Sequence, residues 1–196
     1  MMERRTAVRA AIAVFALAMG WFLFIGLPKW YGRPRERPVA ATAPPAPAAG
    51  PAVRRITATL YYLSEDGMSL VPSQREVPFA ASVADQARAI VEAQLAPASP
   101  LVSALPAETT LRDVFVTDRG DAFVDLSGEA AAKHTGGSLD ELFAVYTIVN
   151  ALTVNLPAVA RVQILIDGKE VDTLAGHVDL RHPLAKSLDW VLHDTH

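Results

Sequence analysis

Residues Ala7–Leu27, "AVRAAIAVFALAMGWFLFIGL", form a run of twenty-one residues with a single charge, Arg9. As a helix it would extend about 30 Å, the thickness of a hydrocarbon core. Trp21, Trp30 and Tyr31 lie toward its far end, where amphipathic rings favour a membrane interface. The apolar region of a cleaved signal peptide runs only about 7–15 residues and is followed closely by a small-residue cleavage site. Here the run is longer and leads into "PKWYGRPRER", and the nearest A-x-A pattern, Ala41-Thr42-Ala43, is far downstream. The reading is an uncleaved transmembrane anchor over residues 7–27, a signal-anchor behind a short tail, 1–6. Basic residues flank both ends, so charge alone does not orient it.

Residues 28–52 read as a linker, and "RPVAATAPPAPAAGPA", Arg37–Ala52, is its Pro/Ala part. Prolines remove backbone donors and bias the chain toward extended polyproline geometry, so no core forms there. At about 3.1 Å per residue it spaces the C-terminal portion of the chain up to roughly 50 Å from the membrane. Charge divides at the same place. Up to Ala52 there are seven Lys/Arg against two Glu; from Val53 onward eleven basic residues face nineteen acidic ones, a balance of −8. Such a domain does not attract phosphate backbones, which argues against nucleic-acid binding. The chain has no cysteine, which excludes disulfides, thiolate metal sites, a cysteine nucleophile and lipid attachment through cysteine.

From Ile56 the apolar period becomes two. Ile56, Ala58, Leu60 and Tyr62 share one strand face, "SEDGM" turns the chain, and "LVPSQREVPF" returns it. Pro72 cannot donate to a ladder, so this second strand is predicted at an edge or to contain a bulge. "SVADQARAIVEAQLAP" comes next as a helix with Ser82 as its N-cap and a stripe of Val83, Ala87, Ile90, Val91 and Leu95. In "LRDVFVTDRGDAFVDLS" a second hairpin places Val114 and Val116 opposite Ala122, Val124 and Leu126, with Phe115 and Phe123 on the other face. Asp167-Gly168 in "RVQILIDGKEVDTL" marks a third. The residues 184–196 read as an amphipathic tail of one or two helical turns.

The segment "GGSLDELFAVYTIVNALTVNLP", residues 136–157, is a second greasy stretch. Its uninterrupted apolar length falls well short of the roughly 20 residues that a span requires. Ser138 and Glu141 are spaced as a capping box. Leu142, Val145, Val149, Leu152 and Leu156 repeat at helical spacing, with Tyr146, Thr147, Asn150 and Thr153 on a polar side. A helix packed in a protein core is therefore the expected structure. The fold class is α+β: a mainly antiparallel sheet in ββαββαββ order with two helices packed on one face, preceded by one transmembrane helix.

Four blocks, "LYYLSEDGMSLVPSQREV", "LPAETTLRDVFVTDRGDAFVDLS", "GGSLDELFAVYTIVNALT" and "VQILIDGKEVDTLAGHVDL", in this order and spacing, resemble the sporulation and spore germination (GerMN) domain. The resemblance covers about Arg54–Pro183, within an α+β domain assigned to residues 53–183. It implies a small α+β domain on the outer side of the bacterial cytoplasmic membrane, with an N-terminus-inside anchor, and no established catalytic residue set to carry over. This chain departs from lipoprotein members in having no cysteine, so its apolar helix would take over anchoring.

Site chemistry is sparse. His177-Val178-Asp179 and His182 give H-x-D-x-x-H, which could ligate a metal but has no fourth ligand at a convincing spacing. Ser99 and Ser127 are outside any G-x-S-x-G elbow, and Asp113, Asp118, Asp121 and Asp125 fit hairpin turns and solvent faces better than a carboxylate pair. The expectation is a non-enzyme, without cofactor or metal, that binds or scaffolds envelope proteins; an oligomer is compatible with it. The alternative is a peptidoglycan-binding module using exposed aromatic platforms, and a metal-dependent hydrolase ranks below both. Tyr61, Tyr62, Asn150 and Trp190 are the candidate partner or ligand contacts.

Overall fold

The computed structural model describes residues 19–21 and 54–192. Met19–Trp21 are helical; the rest of the expected anchor, and the spacer, lie outside the described residues. Among the described residues no helix is long and apolar enough to cross a membrane.

The fold is mixed α+β. Strands β1 (Arg55–Leu63) and β2 (Leu70–Pro78) form an antiparallel hairpin that is a sheet by itself. Helix α1 (Val83–Leu95) leads by a long loop to the hairpin β3 (Leu111–Val116) and β4 (Asp121–Leu126). The short α2 (Glu129–Ala132) and the long α3 (Ser138–Asn155) come next, then β5 (Arg161–Ile166), β6 (Lys169–Glu170) and β7 (Leu184–Ala185). The second sheet runs β3-β4-β5-β6, with β7 also paired to β5.

Two features differ from the single sheet expected. The hairpins fall into two sheets, and β4 pairs with β5 in parallel, Val124 beside Ile164. The cause is the crossover between them. The eighteen residues of α3 rise about 27 Å, enough to carry the chain back along a strand to the end from which β4 set out. Both helices touch both sheets: α1 meets β1, β2 and β3, and α3 meets β1, β5 and β7. They do not cover one face of one sheet.

That position explains the composition of α3. Phe143, Ala144, Val145, Ile148, Val149, Ala151 and Leu152 are all fully buried, and so are Thr147 and Asn150 from the side read as polar. A helix wrapped by protein on several sides is apolar nearly all round. The caps divide similarly. Ser82 Oγ accepts from Asp85 N at 3.0 Å, as its sequence position predicts. At α3 the expected Ser138/Glu141 box does not form: Gly137 is the N-cap residue and donates its N–H to Asp140 Oδ2 at 3.2 Å. Asp167 (φ +50°) and Gly168 (φ +76°) make the expected tight turn, both in the left-handed region. The tail is extended and not helical. Its β7 pairs with β5, and Val191 bridges Leu70 at the β2 edge.

The strand edges are satisfied in a specific way. Ser64 N donates to Ser69 O and Phe79 N to Arg54 O, which sets the ladder parity of the first hairpin. Thr59, Tyr61 and Leu63 then turn their backbone groups outward from β1, and Leu70, Pro72, Gln74, Glu76 and Pro78 from β2. Gln94 of α1 binds both backbone groups of Tyr61, Oε1 accepting its N–H at 2.9 Å and Nε2 donating to its C=O at 2.7 Å. Asn155 of α3 does the same for Thr59, at 2.8 and 2.7 Å. On β2, Pro72 and Pro78 occupy outward positions where no ladder donor is needed, so two prolines fit in one strand.

Removing the Gln94 amide leaves the Tyr61 N–H and C=O without partners. Gln94→Leu is expected to lower unfolding stability by about 2–4 kcal/mol in urea titration, since each orphaned buried backbone group costs about 1–3 kcal/mol. Pro72→Ala places its new N–H on an open edge and should shift stability by less than about 1 kcal/mol. Equal effects of the two changes would contradict the ladder assignment.

Candidate functional site

The most constrained polar group in the fold is a carboxylate whose sequence position suggests a helix cap. Glu141 lies on the buried stripe of α3 with Val145, Ile148 and Leu152 and is itself fully buried. Its Oε1 accepts the N–H groups of Leu174 (2.9 Å) and Ala175 (2.8 Å). Its Oε2 accepts the His177 N–H at 2.7 Å and lies 2.9 Å from His177 Nδ1. A carboxylate has no proton to give, so Nδ1 carries the hydrogen and donates it. Burial by itself raises the Glu141 pKa, but the N–H groups of Ala175, Val178 and His177 and the His177 ring outweigh it and hold the carboxyl below its usual value. Glu141 thus clasps the loop between β6 and β7. Across that loop Gln163 of β5 donates to the Leu180 C=O, and Leu180 N–H donates to the Asp172 C=O at 2.8 Å.

The H-x-D-x-x-H residues sit on this loop but take separate partners. His177 is held by Glu141. Asp179 forms a two-point pair with Arg181, at 2.9 and 2.7 Å, which keeps its carboxyl well below the usual range. His182 is exposed. Among the described residues no group of three His, Asp or Glu side chains is placed to hold a metal. The hairpin acids are distributed likewise: Asp113 to Arg88, Asp121 to Arg161, and Asp125 to Arg112 and the Gly168 N–H. Asp118 and Ser99 are exposed, and Ser127 Oγ accepts from Thr110 N.

The four candidate contacts separate by exposure. Tyr61 (2% exposed) and Tyr62 (0%) are core residues, which corrects the expectation that they offer aromatic platforms. The reason is that β1 is covered on both faces, so the period-two pattern does not leave its second face in water. Arg75 reaches over the Tyr62 ring, 5.7 Å from its centroid. Asn150 is buried and donates from Nδ2 to the Ser187 C=O at 2.7 Å while its Oδ1 accepts the Ser187 N–H at 3.2 Å. Its amide holds the tail in place. Trp190 is 43% exposed while its C=O accepts the Leu70 N–H, so the tail folds back and still presents the indole. Sequence reasoning missed Glu141; the available signal was its i, i+4, i+7, i+11 spacing with Val145, Ile148 and Leu152.

Glu141→Gln keeps the shape but turns an amide N–H₂ toward donors. It is expected to cost about 2–4 kcal/mol of stability. The folded pKa lies below the usual 4.5, so the wild-type carboxylate contributes fully above that value and loses its contribution as pH falls through the folded one. Urea titrations between about pH 5 and pH 3 should show a steeper loss for wild type than for the variant. Parallel slopes would mean that Glu141 is not the titrating clasp.

The profile of the Germane family, described as sporulation and spore germination, matches residues 59–172, more than half of the chain. No curated protein matches the sequence. Among solved structures, the tandem GerMN domains of the sporulation protein GerM from Bacillus subtilis are similar at 22% identity and a TM-score of 0.53, over 69% of this chain and 48% of that one. This chain therefore spans about half the length of that tandem pair. The first GerMN domain of the same protein is similar at 21% identity and a TM-score of 0.49, over 66% and 97%. A protein from Clostridium perfringens designated a lipoprotein is similar at 24% identity and a TM-score of 0.49, over 70% and 92%. Through the profile match across its hairpins and helices, the chain belongs to the Germane (sporulation and spore germination) family.

Proposed function

We propose that this chain is a membrane-anchored extracytoplasmic domain that binds envelope proteins and holds them in place, without chemistry of its own. The observation that carries this reading is where six buried or half-buried amide and carboxylate side chains go. Gln86, Gln94, Asn150, Asn155, Gln163 and Glu141 each bond to backbone groups of the domain's own loops and strand edges. A catalytic site keeps such groups converged on a cleft. Here they fix surfaces, which suits a binding scaffold. The family supports the same reading, and so do the apolar run over residues 7–27 and the Pro/Ala spacer, which would place the domain outside a single-pass anchor in the cytoplasmic membrane.

The peptidoglycan alternative is weaker than the sequence suggests, because two of its three aromatic platforms, Tyr61 and Tyr62, are core residues. Crosslinking in living cells with the full chain is expected to capture a defined envelope protein. Recovery of the monomer alone under all growth conditions would overturn the scaffold reading, and pelleting of the chain with purified peptidoglycan would favour the glycan one.

A further inference from the structure

We propose that the turn end of the β1–β2 hairpin is a docking surface for a protein segment that carries a large apolar side chain beside lysine or arginine. This rests on the scaffold reading and assigns it a surface.

Four stretches of chain meet at that end. Leu63 N–H donates to the Val102 C=O at 2.9 Å, and Leu63 pairs with Leu70. On the other side Leu70 N–H donates to the Trp190 C=O, and Leu192 N–H donates to the Leu70 C=O, both at 2.8 Å. Val102, Leu63, Leu70 and Val191 thus stand side by side, a row roughly 14 Å across at strand spacing. Within or beside the row, Met68 (61%), Val102 (58%), Trp190 (43%) and Leu192 (51%) are exposed. Side-by-side residues share a sheet face, so Trp190 and Leu192, on either side of Val191, open on the face away from Val102; Met68 at the turn and Val102 beside it are the exposed apolar groups of the proposed surface.

The surface has depth and a sign. A cleft of about 420 Å³ opens beside Val102, with Leu63, Pro100 and Leu101 on its apolar side and Glu65 and Asp66 at its lip. A second, also about 420 Å³, lies along the same loop against Leu95, Ala98 and Leu105. Asp66 accepts the Ser64 hydroxyl at 2.6 Å and the Met68 N–H at 3.0 Å, which lower its pKa and fix it as a carboxylate. Among the described residues neither Glu65 nor Asp66 has an ion-pair partner. Unpaired carboxylates over an apolar floor recognise an apolar side chain with a cation next to it. The charge of −8 from Val53 onward steers such a segment in and repels an anionic lipid surface. A second copy would bring the same acids to the contact, which disfavours self-pairing there.

The occupant can be read directly. A photo-crosslinking phenylalanine analogue is placed at Met68 or Val102 of the full chain in living cells, and at Phe115, exposed on the other sheet, as the reference position. Crosslinked peptides are sequenced by mass spectrometry. The expected result is one protein captured from both hairpin-end positions, joined through a segment with a large apolar residue and an adjacent lysine or arginine. Charge reversal by Glu65→Lys, which leaves the Asp66 hydrogen bonds of the turn in place, should cut that yield about fivefold, with the melting temperature unchanged. A yield indifferent to charge reversal, a joined segment without a basic residue, or capture of lipid or a second copy would overturn the proposal. Capture from Phe115 alone would overturn this surface and leave the scaffold reading standing; no captured protein at any position would overturn both.

Discussion

A two-stranded sheet has two edges and no interior strand, so half of its backbone groups face away from the only ladder. Buried groups of that kind cannot be left without partners. Here the problem is solved by side-chain amides. A primary amide carries an acceptor and a donor at the spacing of a peptide group, so Gln94 and Asn155 each stand in for one residue of a missing neighbouring strand. Because these amides come from α1 and α3, the first sheet is joined to both helices through its backbone as well as by apolar contact. The orientation of the hairpin against the helices is set by that attachment. At the opposite edge the same need is met by economy: Pro72 and Pro78 remove outward donors, and the tail supplies a partner at Leu70.

The amide device recurs wherever an irregular segment meets the core. Asn150 grips Ser187, Gln86 grips Ala80 and Pro78, and Gln163 grips Leu180. Glu141 differs only in charge. A carboxylate offers more acceptor sites than an amide and no donor, which fits the run of N–H groups at Leu174, Ala175 and His177. A neutral side chain there would satisfy fewer of them. The desolvation of a fully buried charge is offset by several short hydrogen bonds, and the balance falls on the side of ionisation.

Elements determined by local chemistry were legible in the sequence. The Asp167-Gly168 turn, the Ser82 cap, the three hairpin signals and the edge position of the strand that carries Pro72 each depend on one or two residues and their φ/ψ or donor requirements. Features set by partners distant in the chain were not. Nothing near Leu126 or Arg161 says that β4 and β5 run parallel, because that depends on the length of the helix between them. Tyr61 and Tyr62 look like one inward and one outward residue until both are seen to be buried in the fold. Thr147 and Asn150 look solvent-facing for the same reason. The tail pattern of Leu184, Leu188 and Val191 suits a helix, yet Asn150 and the open Leu70 position offer it hydrogen bonds that only an extended chain can use. The profile match for the family was readable because order and spacing of blocks survive these ambiguities.

Function is constrained by the same commitment of polar groups. Gln94, Asn150, Gln163 and Glu141 are tied to the fold, so removing any of them should change stability before it changes any contact with a partner. Recognition is then left to surfaces where apolar side chains and carboxylates are exposed together, because these are the groups whose interactions the fold has not already used. The outer face around Phe115 lies within a sheet rimmed by the closed ion pairs Arg112–Asp125 and Arg161–Asp121, which leaves little net field to select a partner. The turn end of the first hairpin differs in having open carboxylates beside open apolar area. In the proposed docking, apolar burial would supply affinity there and the uncompensated charge discrimination. On the proposed reading, that division would let a small domain choose one protein segment among many.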